Sequence, residues 1–286
     1  MVVIVTGANG QLGQAIQFVA KNYLSLNFVF CNSTDLDISN KENCQDVFHK
    51  TKPDFCINTA AYTAVDKAES EPEKAELINV IGAKNLAETC KEFDTKLIHI
   101  STDFIFNGSN DKPYTENQLP NPKGVYGQTK LDGEKAIQQV FSNYYIIRTS
   151  WVYSQFGNNF MKTMLRLASE RTSLSVVNDQ IGTPTNAVDL AECLMTIINA
   201  QYPTSSNQNH YGIYNFSNEG QCSWYDFAKK IFEINQVNID LIAIPTSEFP
   251  TPAERPKYSV LDKSKIKSTF GVEVKDWEDS LKKGSK

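Results

Sequence analysis

No run in this 286-residue sequence approaches the roughly 18–20 consecutive apolar residues that a membrane-spanning helix needs, so no bilayer partner is expected. The N-terminus lacks a basic start and a long apolar core: Met1-Val2-Val3-Ile4-Val5 runs straight into Thr6 and Gly7, and a secretory signal is not expected there. Basic residues are outnumbered, with 28 Lys and Arg against 33 Asp and Glu and a net charge of −5. Sequence-independent nucleic-acid binding needs a cationic face, so a nucleic-acid partner is not expected either. Histidine is scarce: His49, His99 and His210 lie far apart, and His99 sits inside the apolar run Leu97-Ile98-His99-Ile100, where it reads as a core residue. Cys31, Cys44, Cys56, Cys90, Cys193 and Cys222 contain no C-x-x-C pair and have irregular gaps. A disulfide framework is thereby disfavoured, as is a zinc site, and reduced thiols in a cytoplasmic protein are expected. Tandem repeats and low-complexity linkers are absent.

What is present is a globular composition, 41% hydrophobic and 11% aromatic, in a chain long enough for about two units. Short apolar runs at residues 2–5, 28–30, 55–57, 97–100 and 144–147 alternate with amphipathic stretches, among them residues 75–92 and 126–140. Leu12, Ala15, Ile16, Val19, Ala20 and Tyr23 recur at helical spacing after the first run. Continuous apolar strands separated by helices predict an α/β fold: a Rossmann-type, doubly wound parallel sheet covered on both faces. The C-terminal half is less regular, with helices expected at 159–169, 189–200 and 223–234, strands at 174–177 and 212–216, and mostly loop over 242–257. The expected division is a dinucleotide-binding domain of residues 1–150, with returning segments over about 174–217, and a smaller α/β substrate-binding domain of 151–173 and 218–286.

The first strand ends in Thr6-Gly7-Ala8-Asn9-Gly10-Gln11-Leu12-Gly13, and a helix follows. In that context G-x-x-G-x-x-G is a phosphate loop. Gly7 permits the tight turn, Gly10 the approach of a pyrophosphate, and Gly13 the packing of helix on strand. The helix start adds free N–H groups and the positive end of its dipole. An acidic residue for the adenosine ribose is missing where the second strand ends in Cys31-Asn32-Ser33, and no basic residue replaces it. The residues therefore leave NADH and NADPH open, with Asp37 and Ile38 as candidates to flank the adenine.

Y-x-x-x-K occurs at Tyr126–Lys130 and again at Tyr225–Lys229, and composition alone predicts about one chance match. Context favours the first, which opens a helix and follows the strand ending in Ser101-Thr102-Asp103. Residues four apart share a helix face, so Lys130 is expected near Tyr126, lowering its pKa and making it a proton donor to a carbonyl being reduced. Thr102, at the carboxyl end of a parallel strand, would hold the substrate oxygen.

Together these motifs resemble the extended short-chain dehydrogenase/reductases and, more closely, the dTDP-4-dehydrorhamnose reductase family. The resemblance rests on Asn58-Thr59-Ala60-Ala61-Tyr62-Thr63-Ala64-Val65-Asp66-Lys67-Ala68-Glu69, Arg148-Thr149-Ser150-Trp151-Val152-Tyr153, Gly157-Asn158-Asn159-Phe160, Val177-Asn178-Asp179-Gln180-Ile181-Gly182-Thr183-Pro184-Thr185 and Arg255-Pro256. It implies hydride transfer from NADPH or NADH to C4 of a dTDP-linked 4-keto-6-deoxy sugar, giving dTDP-L-rhamnose for bacterial surface polysaccharide. Tyr126 would protonate the alkoxide and Lys130 would also bind the nicotinamide ribose. Ala60, Ala61 and Tyr62 would line the cofactor cleft, with Gly7, Asn9, Gly10, Gln11, Leu12 and Gly13 at the phosphates. Thr102, Asp103 and Trp151 would meet the sugar, and Asn159, Gln180 and Arg255 the nucleotide or its diphosphate. A homodimer is compatible with the resemblance. Some members bridge their dimers through a metal held by carboxylates of the first helix, but residues 11–22 contain no Asp or Glu, and no metal is expected there. Phe104 stands where the related dehydratases have Glu after Thr-Asp, which disfavours water loss. A 4-epimerase, a reductase giving the talose epimer, and a non-catalytic regulatory subunit such as the β subunit of methionine adenosyltransferase stay as alternatives.

Overall fold

The computed structural model describes residues 1–200 and 210–284. Residues 201–209 of the expected returning segment, and 285–286, lie outside the described residues. The strands are β1 (Val2–Thr6), β2 (Asn27–Cys31), β3 (Phe55–Asn58), β4 (Lys96–Thr102), β5 (Tyr144–Thr149), β6 (Val152–Tyr153), β7 (Ser173–Val177), β8 (Ile181–Gly182), β9 (Thr185–Asn186), β10 (Gly212–Asn215), β11 (Cys222–Ser223) and β12 (Asp240–Ile244). Six form one sheet in the order β2-β1-β3-β4-β5-β10, every pair parallel. The order reverses between β1 and β3, and an open α/β sheet has its ligand crevice outside the carboxyl ends at such a point.

Strand β1 shows why both faces are covered. Val3 and Val5 enter one core with Ile16 and Leu194, whereas Ile4 enters the other with Phe48, Leu86 and Cys90. The first face is closed by α1 (Gln11–Ala20) and, later in the chain, α8 (Ala187–Asn199). The second is closed by α2 (Lys41–Thr51), α5 (Ala83–Glu92) and α6 (Val125–Val140), whose Ile137 joins it. Each such aliphatic side chain contributes roughly 1.5–3 kcal/mol on burial.

The helix expected over residues 75–92 is not continuous. After α3 (Val65–Ala68), α4 (Pro72–Glu76) passes into a π-helical turn, Leu77–Gly82, before α5 begins. Buried Asn79 gives the reason: its Oδ1 accepts from Tyr62 N at 2.9 Å, and its Nδ2 donates to Tyr62 O and Thr129 Oγ1, both at 3.1 Å. These bonds hold the wider turn against the loop after β3.

A third core joins α7 (Phe160–Glu170), α9 (Trp224–Ile234) and α11 (Trp277–Gly284) to β7 and β12; α10 (Ser264–Phe270) instead lends Ile266 to the first. Here the structure differs from the sequence reading. The strand at 173–177 pairs in parallel with β12, whose last three residues fall in the stretch expected to be mostly loop, and its Leu174 and Val176 lie in this third core. Ile244 is buried whereas Asp240, Ile242 and Ala243 are exposed, too weak an alternation to announce a strand. Helix α8 shares a core with α1, and strand β10 pairs in parallel with β5. All six cysteines are unpaired and buried, and no helix of the described residues is long and apolar enough to cross a membrane.

Candidate active site

The site grows from the turn after β1. Gly7 has φ +64°, and a Cβ there would lie 2.7 Å from Ala60 N, so only glycine lets the turn rest on the loop after β3. At Gly13 a Cβ would meet Gly7 O at 2.5 Å, which is why α1 can lie close over the turn. Helix α1 starts at Gly10 with neither a side-chain cap nor an acidic residue in its first turn. Asn9, Gly10, Gln11 and Leu12 line a cavity of about 610 Å³, so the uncapped N–H groups are left for an anion, and the cradle fits a dinucleotide pyrophosphate. The Gln11 side chain is used elsewhere. Its Oε1 accepts from Ser154 Oγ at 3.2 Å and Asn159 Nδ2 at 3.0 Å, tying the loop to the chain entering α7.

The opposite wall comes from the ends of β3, β4 and β5 and from α6. It brings together Ala61, Thr102, Asp103, Tyr126, Lys130 and Trp151. Thr102 Oγ1 donates to Asp103 Oδ1 at 3.1 Å, accepts from Phe104 N at 3.2 Å and lines the same cavity wall as Tyr126. The edge-on Phe104 ring, 5.5 Å away at 73°, fixes the Tyr126 ring. Lys130 Nζ donates to Ile100 O at 2.6 Å. The expected lowering of the Tyr126 pKa by Lys130 is not realised in this geometry. Burial, with the Asp103 carboxyl adding to it, pushes Tyr126 up to about 12 despite the Thr102 hydroxyl, while burial pushes Lys130 down to about 8 against the pull of Glu134. Tyr126 thus keeps its proton at neutral pH, the state a donor requires. Asp103 is lifted to about 6 by burial, and its Oδ2 is buried without a hydrogen-bond partner.

Three contributors escaped the sequence reading. Glu134, one turn beyond Lys130, forms a buried two-bond pair with Arg148, Nε–Oε1 3.0 Å and Nη2–Oε2 2.7 Å, and also accepts from Ser101 Oγ. This ties α6 to β4 and β5; the i,i+4 spacing from Lys130 was the available signal. Trp224 stacks on Trp151 with centroids 3.6 Å apart and planes at 11°. Trp151 has φ +46°, and a Cβ at Gly182 would stand 2.6 Å from its ring, so the indole is clamped between Gly182 and Trp224. Asn79, described above, had no signal in the pattern.

Other expected site residues stand away from the cavity. Exposed Asp37 accepts from Ser39 N and Oγ at 2.9 and 2.7 Å, and Ile38 is buried in the second-face core. Ala60 packs its backbone against Gly7, and Tyr62 donates its hydroxyl to Glu71 Oε2 at 2.7 Å. Asn159 caps α7 by accepting from Lys162 N. Buried Gln180 donates to Thr246 Oγ1 at 3.0 Å, and Arg255 makes a two-bond ion pair with Asp66 at 2.9 and 2.8 Å. The second Y-x-x-x-K lies on α9, where Lys229 lines a separate surface cleft with Cys222 and Asp226.

Residues 1–285 match the family described as the RmlD substrate binding domain. The chain belongs to that family. It is 40% identical to the dTDP-4-dehydrorhamnose reductase of Escherichia coli K12, covering 99% of this chain and 96% of that one. A crystal structure of the Clostridium acetobutylicum dTDP-4-dehydrorhamnose reductase superimposes with a TM-score of 0.93 at 41% identity over 99% and 98% of the two chains. The Bacillus anthracis dTDP-4-dehydrorhamnose reductase in complex with NADP gives 0.93 at 40% identity over the same shares. The family likeness thus extends along nearly the whole chain and is not confined to the glycine loop.

Proposed function

We propose that this chain reduces the C4 keto group of dTDP-4-dehydro-6-deoxy-L-mannose to dTDP-L-rhamnose with NADPH or NADH. The observation that carries this reading is the facing of an uncapped glycine-loop helix start and the Thr102–Tyr126–Lys130 group across one cavity. When bound, the reduced nicotinamide supplies the hydride. Gly7, Asn9, Gly10, Gln11, Leu12 and Gly13 hold the cofactor phosphates, with Ala60, Ala61 and Tyr62 shaping the adjoining cleft and Lys130 binding the nicotinamide ribose. Thr102 orients the substrate oxygen and Tyr126 gives it a proton, so the charge that develops on that oxygen is neutralised as it forms. Trp151, braced by Trp224, meets the sugar ring. Asp103 offers its unpartnered oxygen to a sugar hydroxyl, and Arg255 exchanges Asp66 for a diphosphate oxygen. The unit built on α7, α9, α11, β7 and β12 forms the substrate side. The product serves cytoplasmic synthesis of surface polysaccharide, and the enzyme acts as a homodimer.

The test is oxidation of NADPH and of NADH with dTDP-4-keto-6-deoxy-L-mannose generated in situ, followed by NMR of the product. Oxidation with a rhamnose product is expected. The talose epimer would keep the chemistry and overturn the assigned stereochemistry. No oxidation by protein that binds the cofactor would overturn the reductase reading.

A further inference from the structure

Lys130 Nζ lies 3.4 Å from His99 Nε2, and His99 is a buried β4 residue, 1% exposed. The other ring nitrogen, Nδ1, is 3.0 Å from Asn58 Nδ2. Asn58 decides which nitrogen carries the proton. Its Oδ1 accepts from the Thr6 hydroxyl at 2.7 Å and from Ala60 N at 3.2 Å. A backbone N–H can only donate, so the atom facing Ala60 is the oxygen and the NH₂ group faces His99. That NH₂ can also only donate. Nδ1 is therefore an acceptor, and the neutral ring keeps its proton on Nε2, aimed at Lys130. Burial and the Lys130 charge hold His99 well below the ordinary histidine range, which excludes the doubly protonated ring.

We propose that His99 is a positioning residue for the reaction, one that turns an N–H rather than a lone pair toward Lys130 and leaves Ile100 O as the lysine's acceptor on β4. The proposal rests on the role given to Lys130 above. The 3.4 Å separation exceeds the roughly 2.7–3.2 Å of an ordinary N–H···O bond, as expected where two donors meet. With one N–H on Ile100 O and His99 offering no acceptor, the ammonium turns its remaining donors to the cavity. The same contact favours the neutral amine, whose lone pair accepts from Nε2–H. Other groups near Lys130 do not cancel this. Glu134 on α6 favours the ammonium but shares its carboxylate with Arg148 of β5 and Ser101 of β4. Tyr126 on α6 and Asp103 after β4 stand on the cavity side. Lys130 therefore gives up its proton more readily than a surface lysine, and that loss sets the alkaline limb of the pH–rate profile.

Two measurements test this. Two-bond ¹⁵N–¹H correlation on protein labelled at its three histidines reads the tautomer directly, without substrate. His99 is expected protonated at Nε2 through the neutral range, and an Nδ1-protonated ring would overturn the proposal. Asn58→Asp places a carboxylate against Nδ1, draws the proton to that nitrogen and turns the Nε2 lone pair to Lys130. The alkaline limb of kcat/KM is then expected to move up by about one pH unit. His99→Leu, which removes the N–H at similar bulk, is expected to move it the same way. A switched tautomer with an unmoved limb would overturn the proposal. Because the tautomer is read without turnover, an absence of reductase activity would count against the proposed function alone.

Discussion

Removing one oxygen atom at residue 126 separates the proton of that side chain from its packing. In Tyr126→Phe the ring keeps its edge-on contact with Phe104 at 5.5 Å, an arrangement worth about 0.5–1.5 kcal/mol beyond burial. What disappears is the hydroxyl that burial holds protonated up to about 12 beside Thr102. A positioned general acid typically contributes about 10²–10⁴ in rate, or roughly 2.7–5.5 kcal/mol of barrier at 1.36 kcal/mol per tenfold. The assay is steady-state loss of reduced-nicotinamide absorbance with the keto sugar, paired with cofactor affinity from fluorescence titration. Turnover should fall by about 10²–10⁴ while the cofactor Kd stays within about threefold. A variant retaining more than about a tenth of wild-type turnover would show that another group delivers the proton. Equal losses in turnover and cofactor affinity would show that Tyr126 acts by holding the cofactor.

Other outcomes follow from the same geometry. Glu134→Ala strands Arg148, whose side chain is 3% exposed, and should destabilise the fold by about 3–5 kcal/mol, read as a clear drop in Tm by calorimetry; an unchanged Tm would refute the bracing role. Trp224→Ala removes the stacking partner of Trp151 and should raise KM for the sugar several-fold, up to about tenfold, with a smaller change in kcat; an unaltered KM would remove Trp151 from the sugar contact. Asp103 is lifted to about 6, against roughly 3.9 in an unfolded chain, so the folded state binds this proton more tightly and the group costs stability as pH rises from about 4 through 6. Asp103→Asn should therefore stabilise the protein by up to about 2–3 kcal/mol above pH 6 and lose that advantage below about 4; equal urea-unfolding differences at both ends would contradict the burial argument.

The glycine loop was readable because three glycines at fixed spacing, between an apolar run and an amphipathic one, satisfy a local geometric demand. Thr102, Tyr126 and Lys130 were readable from their positions relative to strand ends. What stayed hidden was tertiary. Arg255 meets Asp66 across 189 positions, and neither residue's neighbours announce the pair. The Trp151–Trp224 stack joins two aromatic segments that each look like ordinary packing. The short strand β12 hides because only its end is buried. The Tyr126 and Lys130 shifts come first from burial, which only the folded chain supplies, and the acceptor of the ammonium, Ile100 O, is a backbone atom which no side-chain pattern reports.

The π-helical turn at Leu77–Gly82 limits how the chain can vary in length. A single-residue deletion inside that segment would restore a regular helix, but it would rotate the residues on one side of the cut by about 100° relative to the other. Asn79 could not then reach both the Tyr62 backbone and Thr129, and buried main-chain groups beside the cofactor cleft would lose their partners. Surface loops of this protein can gain or shed residues freely by comparison. This helix can shed one only if Tyr62 acquires new partners in the same step, so a local irregularity fixes the residue count of an entire helical arm.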